Sequence, residues 1–269
     1  MTVQERLAAL RSLMKEKHVD AYLVPTDDFH GSEYVGDYFK CRKYITGFTG
    51  SAGTAVITSD MAGLWTDGRY FIQATQQLEG TTVTLFKMGE PEVPTVHEFL
   101  KDKLTEGMCL GFDGRCVSAA ETEELKSLLA DKNISFSVED DLIGEIWKNR
   151  PELSCEPVME LEEKWAGKSR ADKCAQIRDK MAEKGADAFI LTSLDDIAWL
   201  LNIRGNDIDF FPLVLSYGII TMDSFELYID ERKLDDKLKA KLAKDGVNLH
   251  PYNDIYEDVK KFGSDVVAM

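Results

Sequence analysis

The sequence predicts an α/β protein with two domains, each containing a mixed β-sheet flanked by helices. Segments with a helical apolar period alternate along the chain with short β-runs, and each half also contains a tight hairpin, which favours mixed over purely parallel sheets. The length of 269 residues exceeds the usual size of one hydrophobic core. An internal duplication supports the same division.

The first domain is predicted to open with a helix and to continue with alternating strands and helices. Thr2 and Glu5 form a capping box ahead of an apolar stripe. AYLVP (21–25) is a β-run, and GTAVIT (53–58) with GLWTD (63–67) form a predicted hairpin. The remaining elements are a helix from Gly68, a strand at 82–86, a helix from Thr95, a strand at 109–112, a helix from Ser118, a strand at 134–138 and a helix over 143–147.

A linker is predicted at 148–168, which contains two prolines and has no clean period. After it, Ser169 caps a helix that ends at Gly185, and DAFILT (187–192) is a strand. The later elements are a hairpin at 218–230, a helix at 234–244, a strand near 247–249 and a helix at 254–262.

The second domain repeats the first. Arg11, Met14, Lys17 and Asp20 correspond, at a constant spacing of 167 residues, to Arg178, Met181, Lys184 and Asp187. The hairpin recurs as AVITSDMAGLWTD (55–67) and GIITMDSFELYID (218–230). Such a period is too long for a solenoid unit, so it indicates a duplicated domain. We place the first domain at 1–157 and the second at 158–269.

The second copy is expected to be truncated. By element count, DVVAM (265–269) takes the place that CLGF (109–112) holds in the first copy, so equivalents of 118–147 would be missing. We therefore expect the second sheet to have an exposed edge, which would favour pairing with another copy.

Composition argues against several classes of function. The chain has 32 basic and 48 acidic residues, for a net charge of −16, and such a surface repels phosphate backbones. The five cysteines form no C-x-x-C pair, which is typical of reduced thiols in a cytoplasmic protein. No stretch approaches the roughly 18 apolar residues of a membrane span. We expect a cytoplasmic protein that binds neither nucleic acid nor membrane.

The glycine-rich run GFTGSAG (47–53) leaves a nucleotide-binding alternative open. A phosphate loop should precede a helix and carry a Lys-Ser or Lys-Thr pair, but this run precedes a predicted strand and has no such pair. Tight turns that let the backbone pack closely are the favoured interpretation.

Two carboxylate pairs, Asp27–Asp28 and Asp195–Asp196, each follow a predicted strand. Adjacent residues point in opposite directions on a strand, so helix capping is the ordinary interpretation and chelation of one ion the alternative. His30 could join Asp27 in a metal site, but the chain has no H-E-x-x-H motif and no G-x-S-x-G elbow. We assign no metal ligand and no catalytic residue within the chain.

Two apolar or charged segments are interpreted as structural. Trp199, Leu200 and Leu201 are expected in the core. The lysine-rich run 232–244 interleaves acids with bases at helical spacing, so it is expected to form a solvated face.

Arg69, in WTDGRYF, is the single candidate site residue. It follows a predicted strand at the expected N-terminal end of a helix, where the helix dipole opposes a cation and an anionic partner is required. The ordinary partner is Asp67 or another acid of this chain. The functional partner is a ligand carboxylate or an acid of another domain, which an arginine fork suits. The sequence leaves both open.

Three motifs resemble a known family. SEYVGDYFKCRKYITGFTGSAGTAVIT (32–58), LWTDGRYFIQA (64–74) and SLDDIAWLLNIRGND (193–207) are similar, in matching order, to the first two domains of the long, three-domain Xaa-Pro aminopeptidases. These enzymes belong with creatinase and prolidase in one metallopeptidase family, and the resemblance runs from about residue 10 to the end of the chain.

The resemblance implies two tandem ribonuclease-H-like domains of the creatinase N-terminal type. It also implies that the catalytic domain is a later unit, absent from this chain, in which two divalent metal ions, usually manganese, act in removing an N-terminal residue that precedes proline. Arg69 matches the family's substrate-contacting arginine. The implied partners are peptides with proline at the second position, the protein's own catalytic domain and a second copy in a dimer.

The alternative is a stand-alone binding or oligomerisation module without peptidase activity. A gene that continues in frame past Met269 into a metal-ligand domain would decide for the aminopeptidase. Under that interpretation we expect Arg69 to lie on the surface that meets the catalytic domain, and not in an internal salt bridge.

Overall fold

The computed structural model describes residues 1–264 and 266–268 and divides the chain into two compact units. The first unit is Met1–Glu152, and the second begins at Leu153. The division falls five residues before the boundary at 157/158 placed from the sequence. Both units combine helices with a mixed sheet, so the predicted α/β class is confirmed.

The first unit alternates helices and strands, except at the hairpin of β2 and β3. In chain order its elements are α1 (Val3–Glu16), β1 (Ala21–Val24), α2 (Cys41–Thr46), β2 (Thr54–Thr58), β3 (Ala62–Thr66), α3 (Phe71–Leu78), β4 (Thr84–Lys87), α4 (Val96–Lys103), β5 (Cys109–Gly111), α5 (Ala119–Leu128), β6 (Ser135–Ser137) and α6 (Leu142–Ile146).

The sheet of this unit has the order β4-β3-β2-β1-β5-β6. β2 runs antiparallel to both β1 and β3, which confirms the predicted hairpin. β4 is parallel to β3, β5 is parallel to β1, and β6 is parallel to β5. As a result, the carboxyl ends of β1 and β5 lie side by side in the centre of the sheet.

The core of the first unit forms a layer on each face of the sheet, because side chains alternate along its strands. On β1, Tyr22 and Val24 pack with α1, α2, α3 and α6, whereas Ala21 and Leu23 pack with α4 and α5. α1 begins at the predicted capping box, in which Thr2 Oγ1 accepts from the amide of Glu5.

The second unit contains β7 (Met159–Glu160), α7 (Glu163–Ala166), α8 (Arg170–Lys184), β8 (Ala188–Leu191), α9 (Leu194–Leu201), β9 (Ile203–Arg204), β10 (Ser216–Thr221), β11 (Phe225–Ile229), α10 (Asp236–Lys244), β12 (Val247–His250) and α11 (Ile255–Asp258). The predicted linker at 148–168 is therefore wrong in part, because it contains β7 and α7, and β7 pairs with β9. Both elements are too short to produce a recognisable period.

The second sheet repeats the first, with the order β12-β11-β10-β8 and the same pattern of directions. One side-chain contact is repeated as well. Arg11 Nε donates to the carbonyl of Thr58 at 2.9 Å, and Arg178 Nε donates to the carbonyl of Thr221 at 2.9 Å. The two arginines tie the first long helix of each unit to the turn of its hairpin.

A segment near the end of the chain lies beside β8. Ala188 forms a parallel bridge with Ala268, and the amide of Asp187 donates to the carbonyl of Val267 at 2.8 Å. In the first unit β5 occupies this position, with Ala21 paired to Leu110. It is the position that the element count gave to DVVAM, of which 265 and 269 lie outside the described residues. Truncation of the second domain remains a proposal.

Within the described part of the chain, no helix combines the length and the apolar character needed to span a membrane.

Candidate functional site

Arg69 lies in a short 3₁₀ helix, Gly68–Tyr70, between β3 and α3. Asp67 is the N-cap of this helix, and its Oδ1 accepts from the amide of Arg69 at 3.0 Å. The residue is therefore at the predicted place, just after a strand and before a helix.

The guanidinium of Arg69 forms a fork with the carboxylate of Asp67. Nε donates to Oδ1 at 2.9 Å, and Nη2 donates to Oδ2 at 2.9 Å. The hydrogen bond from Arg69 lowers the pKa of Asp67 to about 2, and the same bond raises the pKa of Arg69. Asp67 is the ordinary partner considered from the sequence, so the expectation that Arg69 forms no salt bridge within the chain is wrong.

The fork uses only one edge of the guanidinium. The side chain of Arg69 is 68% exposed, and its Cζ lies 5.2 Å from the centre of the Tyr70 ring. An arginine has five N–H donors, so the Nη1 edge retains donors that could bind a second carboxylate.

The same fork occurs twice more in the described residues. Arg115 donates to both oxygens of Asp113 at 2.9 Å, and Arg232 donates to both oxygens of Asp230. An Asp-x-Arg turn is therefore a local device of this chain, and the ion pair alone does not identify Arg69 as a functional residue. Only the residues around Arg69 can distinguish it from Arg115 and Arg232.

The surroundings of Arg69 are a polar rim in which the glycine-rich run is pinned to α3. The hydroxyls of Ser51 and Tyr70 are 2.6 Å apart. The amide of Thr49 donates to Gln77 Oε1 at 2.8 Å, and Gln73 Nε2 donates to Thr49 Oγ1 at 2.9 Å. Hydrogen bonds thus fix the glycine-rich run to Tyr70, the residue after Arg69, and to α3.

Arg42 is 3% exposed and binds the glycine-rich run from the protein interior. Its Nε donates to Thr26 Oγ1 at 2.9 Å, Nη1 donates to the carbonyl of Phe48 at 2.7 Å, and Nη2 donates to the carbonyl of Gly50. Burial lowers the pKa of Arg42 to about 10. Sequence reasoning missed this residue, because its neighbours Lys40 and Lys43 make the segment resemble an exposed, charged one.

Close packing explains the glycine at position 50. A Cβ there would lie 2.2 Å from the Phe48 ring and 2.8 Å from the Tyr70 ring. The run leads into β2 at Thr54 and not into a helix. Both observations support the tight-turn interpretation over a phosphate loop.

The first carboxylate pair stabilises a turn, so the expectation of helix capping is wrong for it. Asp27 Oδ1 accepts from the amide of Asp28 at 2.8 Å, and burial raises the pKa of Asp27 to about 6. Asp28 is buried, and its Oδ1 accepts from the amides of His30 and Ser32 at 2.8 and 3.0 Å.

The second pair lies inside the first turn of α9, where the cap is Ser193 instead. Acidic residues in a first turn interact favourably with the helix dipole, which accounts for Asp195 and Asp196 without a ligand. In the described ranges, no three His, Cys, Asp or Glu side chains are arranged to hold a metal ion. The described residues therefore offer no donor set for a pair of metal ions.

Two structural expectations also need correction. Trp199 is 49% exposed, whereas Leu200 and Leu201 are buried, because Trp199 lies off the apolar stripe of α9. Lys233, within the run expected to be a solvated face, is buried and pairs with Asp207 at 2.6 Å.

Two models of known protein families match the sequence of this chain. Residues 6–142 match the model described as the creatinase/prolidase N-terminal domain, and residues 149–268 match a second model with the same description.

Curated relatives match almost the whole chain. A probable Xaa-Pro aminopeptidase P of Sordaria macrospora is 45% identical over 265 residues, which is 97% of this chain and 43% of the relative. Aminopeptidase P2 of Arabidopsis thaliana is 39% identical over 264 residues, covering 96% of this chain and 37% of the relative. The chain thus spans less than half the length of these relatives.

A solved structure shares the fold. The X-prolyl aminopeptidase of Caenorhabditis elegans, described as a cytosolic enzyme with a di-nuclear active site, superposes with a TM-score of 0.91 at 38% identity. The match covers 96% of this chain and 44% of that protein.

Proposed function

Since the chain belongs to the creatinase/prolidase N-terminal domain family, we propose that it forms the non-catalytic N-terminal portion of a metal-dependent Xaa-Pro aminopeptidase. The observation that carries this proposal is the match of 97% of the chain to less than half of a probable Xaa-Pro aminopeptidase P. The whole enzyme would remove an N-terminal residue that precedes proline, and its substrates would be peptides with proline at the second position.

The chemistry would take place in a catalytic domain outside this chain. Two divalent metal ions, manganese in our proposal, would there activate water and stabilise the tetrahedral intermediate. The di-nuclear site of the Caenorhabditis enzyme supports two metals. The present domains would shape the access of substrate and contribute to assembly, with the catalytic domain and a second copy as partners in a cytoplasmic dimer.

Arg69 is the residue through which the chain would touch substrate. Its inner edge is fixed by Asp67, so the orientation of its outer edge is set before any ligand arrives. A preorganised guanidinium loses less conformational freedom on binding a carboxylate than a free one. We therefore assign to the Nη1 edge a contact with a carboxylate of the substrate or of the catalytic domain.

The test is Arg69→Ala in the polypeptide that joins this chain to a catalytic domain. Loss of one hydrogen bond from a charged group costs about 1.5–3 kcal/mol, so we expect kcat/KM to fall by roughly 10- to 150-fold with little change in Tm. Arg232→Ala is the matched control, because Arg232 is 73% exposed and forms the same fork with Asp230.

We expect the control to retain full activity with an equal change in Tm. Equal losses of kcat/KM in the two variants, or full activity in Arg69→Ala, would assign the fork of Arg69 to local structure alone.

A further inference from the structure

A cavity of about 450 Å³ opens on the first unit beside the C-terminal end of α2, and Arg69 is not among its lining residues. Its charged lining consists of Arg6, Lys40, Lys43 and Asp37, so the cavity is basic in a chain whose net charge is −16. The volume lies within the range of small-molecule sites. Local charge thus has the opposite sign to that of the molecule.

Two of these cations form no salt bridge with a carboxylate in the described ranges. Lys40 pairs with Asp37. Arg6 donates through Nη1 to the carbonyl of Tyr44 at 2.6 Å, and its Nε is buried with no hydrogen-bond partner. Lys43 is exposed and forms no ion pair there. Asp37 also interacts electrostatically with Lys43, so one carboxylate serves the three cations of the lining and an excess of positive charge remains.

Aromatic packing fixes the position of the Arg6 guanidinium. Its Cζ lies 4.4 Å from the centre of the Tyr44 ring, and Tyr44 stacks on Trp147 with ring centres 4.4 Å apart. The cation is therefore held at the cavity wall by stacking and by one hydrogen bond, with other donors left for a ligand.

In the second unit, the cation that corresponds to Arg6 is hydrogen-bonded within the chain. Lys173 stands 167 residues after Arg6, and its Nζ donates to the carbonyl of Trp199 at 2.7 Å and lies 4.5 Å from the centre of that ring. It also donates to Asn202 Oδ1 at 2.6 Å and is only 2% exposed. The second cation is thus satisfied by a side-chain oxygen.

The difference between the units lies at the C-cap of one helix. α9 ends at Asn202, with φ 54°, and its amide oxygen reaches Lys173. α2 ends at Gly47, with φ 80°, which has no side chain to reach Arg6 and lines the cavity. The first unit therefore has no counterpart of Asn202 Oδ1, and the cavity occupies the corresponding position beside Arg6.

We propose that this cavity binds a small multivalent oxyanion, a phosphate or a polycarboxylate, whose oxygens take the position that Asn202 Oδ1 holds in the second unit. Arg6 supplies fixed N–H donors, Lys43 supplies a mobile ammonium, and the exposed side chain of Asn149 lines the opening. The inference does not depend on aminopeptidase activity.

The experiment is calorimetric titration of this chain with inorganic phosphate and, separately, with citrate, at constant ionic strength. We expect saturable binding at one site, and the tighter of the two probes identifies the phosphate or the carboxylate class. Failure of both probes to saturate would overturn the proposal.

Three variants locate the site. Gly47→Asn should abolish binding, because asparagine tolerates the left-handed conformation and supplies the oxygen that the second unit already has. A Cβ at this position would lie 3.2 Å from a methyl group of Val3, which would have to shift by a few tenths of an ångström. Lys43→Ala should weaken binding by about fivefold or more, since it removes one charge-assisted hydrogen bond.

Lys15→Ala is the matched control, because Lys15 is also an exposed lysine in the last turn of a helix but does not line the cavity. It should bind as the parent chain does. Equal binding by Gly47→Asn and the parent, or equal losses in Lys43→Ala and Lys15→Ala, would overturn the assignment. Thermal unfolding of each variant checks its fold. If Gly47→Asn does not fold, the comparison of Lys43→Ala with Lys15→Ala tests the assignment.

Discussion

Asp27 lies just beyond the end of β1 with its carboxyl group partly buried, and its ionisation links pH to the stability of the first unit. Burial raises its pKa from the ordinary 3.8 to about 6. The folded form therefore holds the proton more tightly than the unfolded form. The stability that this group contributes is fully present below pH 3.8 and is lost as pH rises through about 6.

We expect Asp27→Asn to remove this loss. The asparagine oxygen can still accept from the amide of Asp28, so the turn should persist. The free energy of unfolding of the variant, relative to the parent, should increase between about pH 4 and 6 and stay level above. Urea unfolding at several pH values measures it.

Asp60→Asn is the control of opposite sign. A hydrogen bond from Thr58 lowers the pKa of Asp60, so the parent should gain stability from that carboxylate as pH rises. Parallel pH profiles for the parent and Asp27→Asn would contradict the prediction.

Residue-level chemistry in the candidate site was predicted only in part from the sequence. The place of Arg69 followed from the strand and helix around it, but the sequence could not choose between Asp67 and an external acid, because both satisfy the same charge. Arg42 was missed because the sequence does not show that a charged side chain finds three oxygens in the core. Trp199 was misplaced because every apolar residue of its run was counted as core.

At the scale of elements, the glycine-rich run is the part of the first unit most sensitive to added volume. Gly50→Ala should destabilise the unit by about 1–3 kcal/mol, as overpacking does in a tight core, because the new methyl group overlaps the rings of Phe48 and Tyr70. Chemical denaturation followed by fluorescence measures the loss.

Gly68→Ala provides the comparison. A Cβ at Gly68 has no neighbour closer than 3.9 Å, so that variant should unfold within about 0.5 kcal/mol of the parent. Equal losses in the two variants would mean that steric overlap at position 50 is not the cause.

Helices with capping residues at their ends could be predicted from the sequence. Thr95, Ser118 and Ser169 each cap the helix expected after them, and Gly185 ends α8 in the left-handed conformation. α2 was missed because no side chain caps its start and it is only six residues long. β7 and β9 were missed for a similar reason, since two-residue strands have no period.

At the scale of the whole molecule, the chain by itself should have no Xaa-Pro aminopeptidase activity, with or without manganese. The reason is the lack of a ligand set in the described residues. Incubation of chain purified free of host peptidase with an Xaa-Pro-Pro peptide, followed by amino-acid analysis, makes the measurement. Metal-dependent release of the first residue would contradict the proposed division of labour between this chain and a catalytic domain.

The central pairing of β1 with β5 has a consequence during synthesis on the ribosome. β1 can pair with β2 as soon as the hairpin emerges, but its other edge stays open until Cys109–Gly111 has been translated. With roughly 85 residues between the two strands and elongation at about 5–20 residues per second, that interval lasts about 4–17 s. A ribosome paused between β4 and β5 would hold a nascent chain in which one edge of the central strand β1 is unpaired and could pair with another nascent chain of the same polysome. A pause after β6 would instead hold a complete six-stranded sheet, in which both edges of β1 are paired.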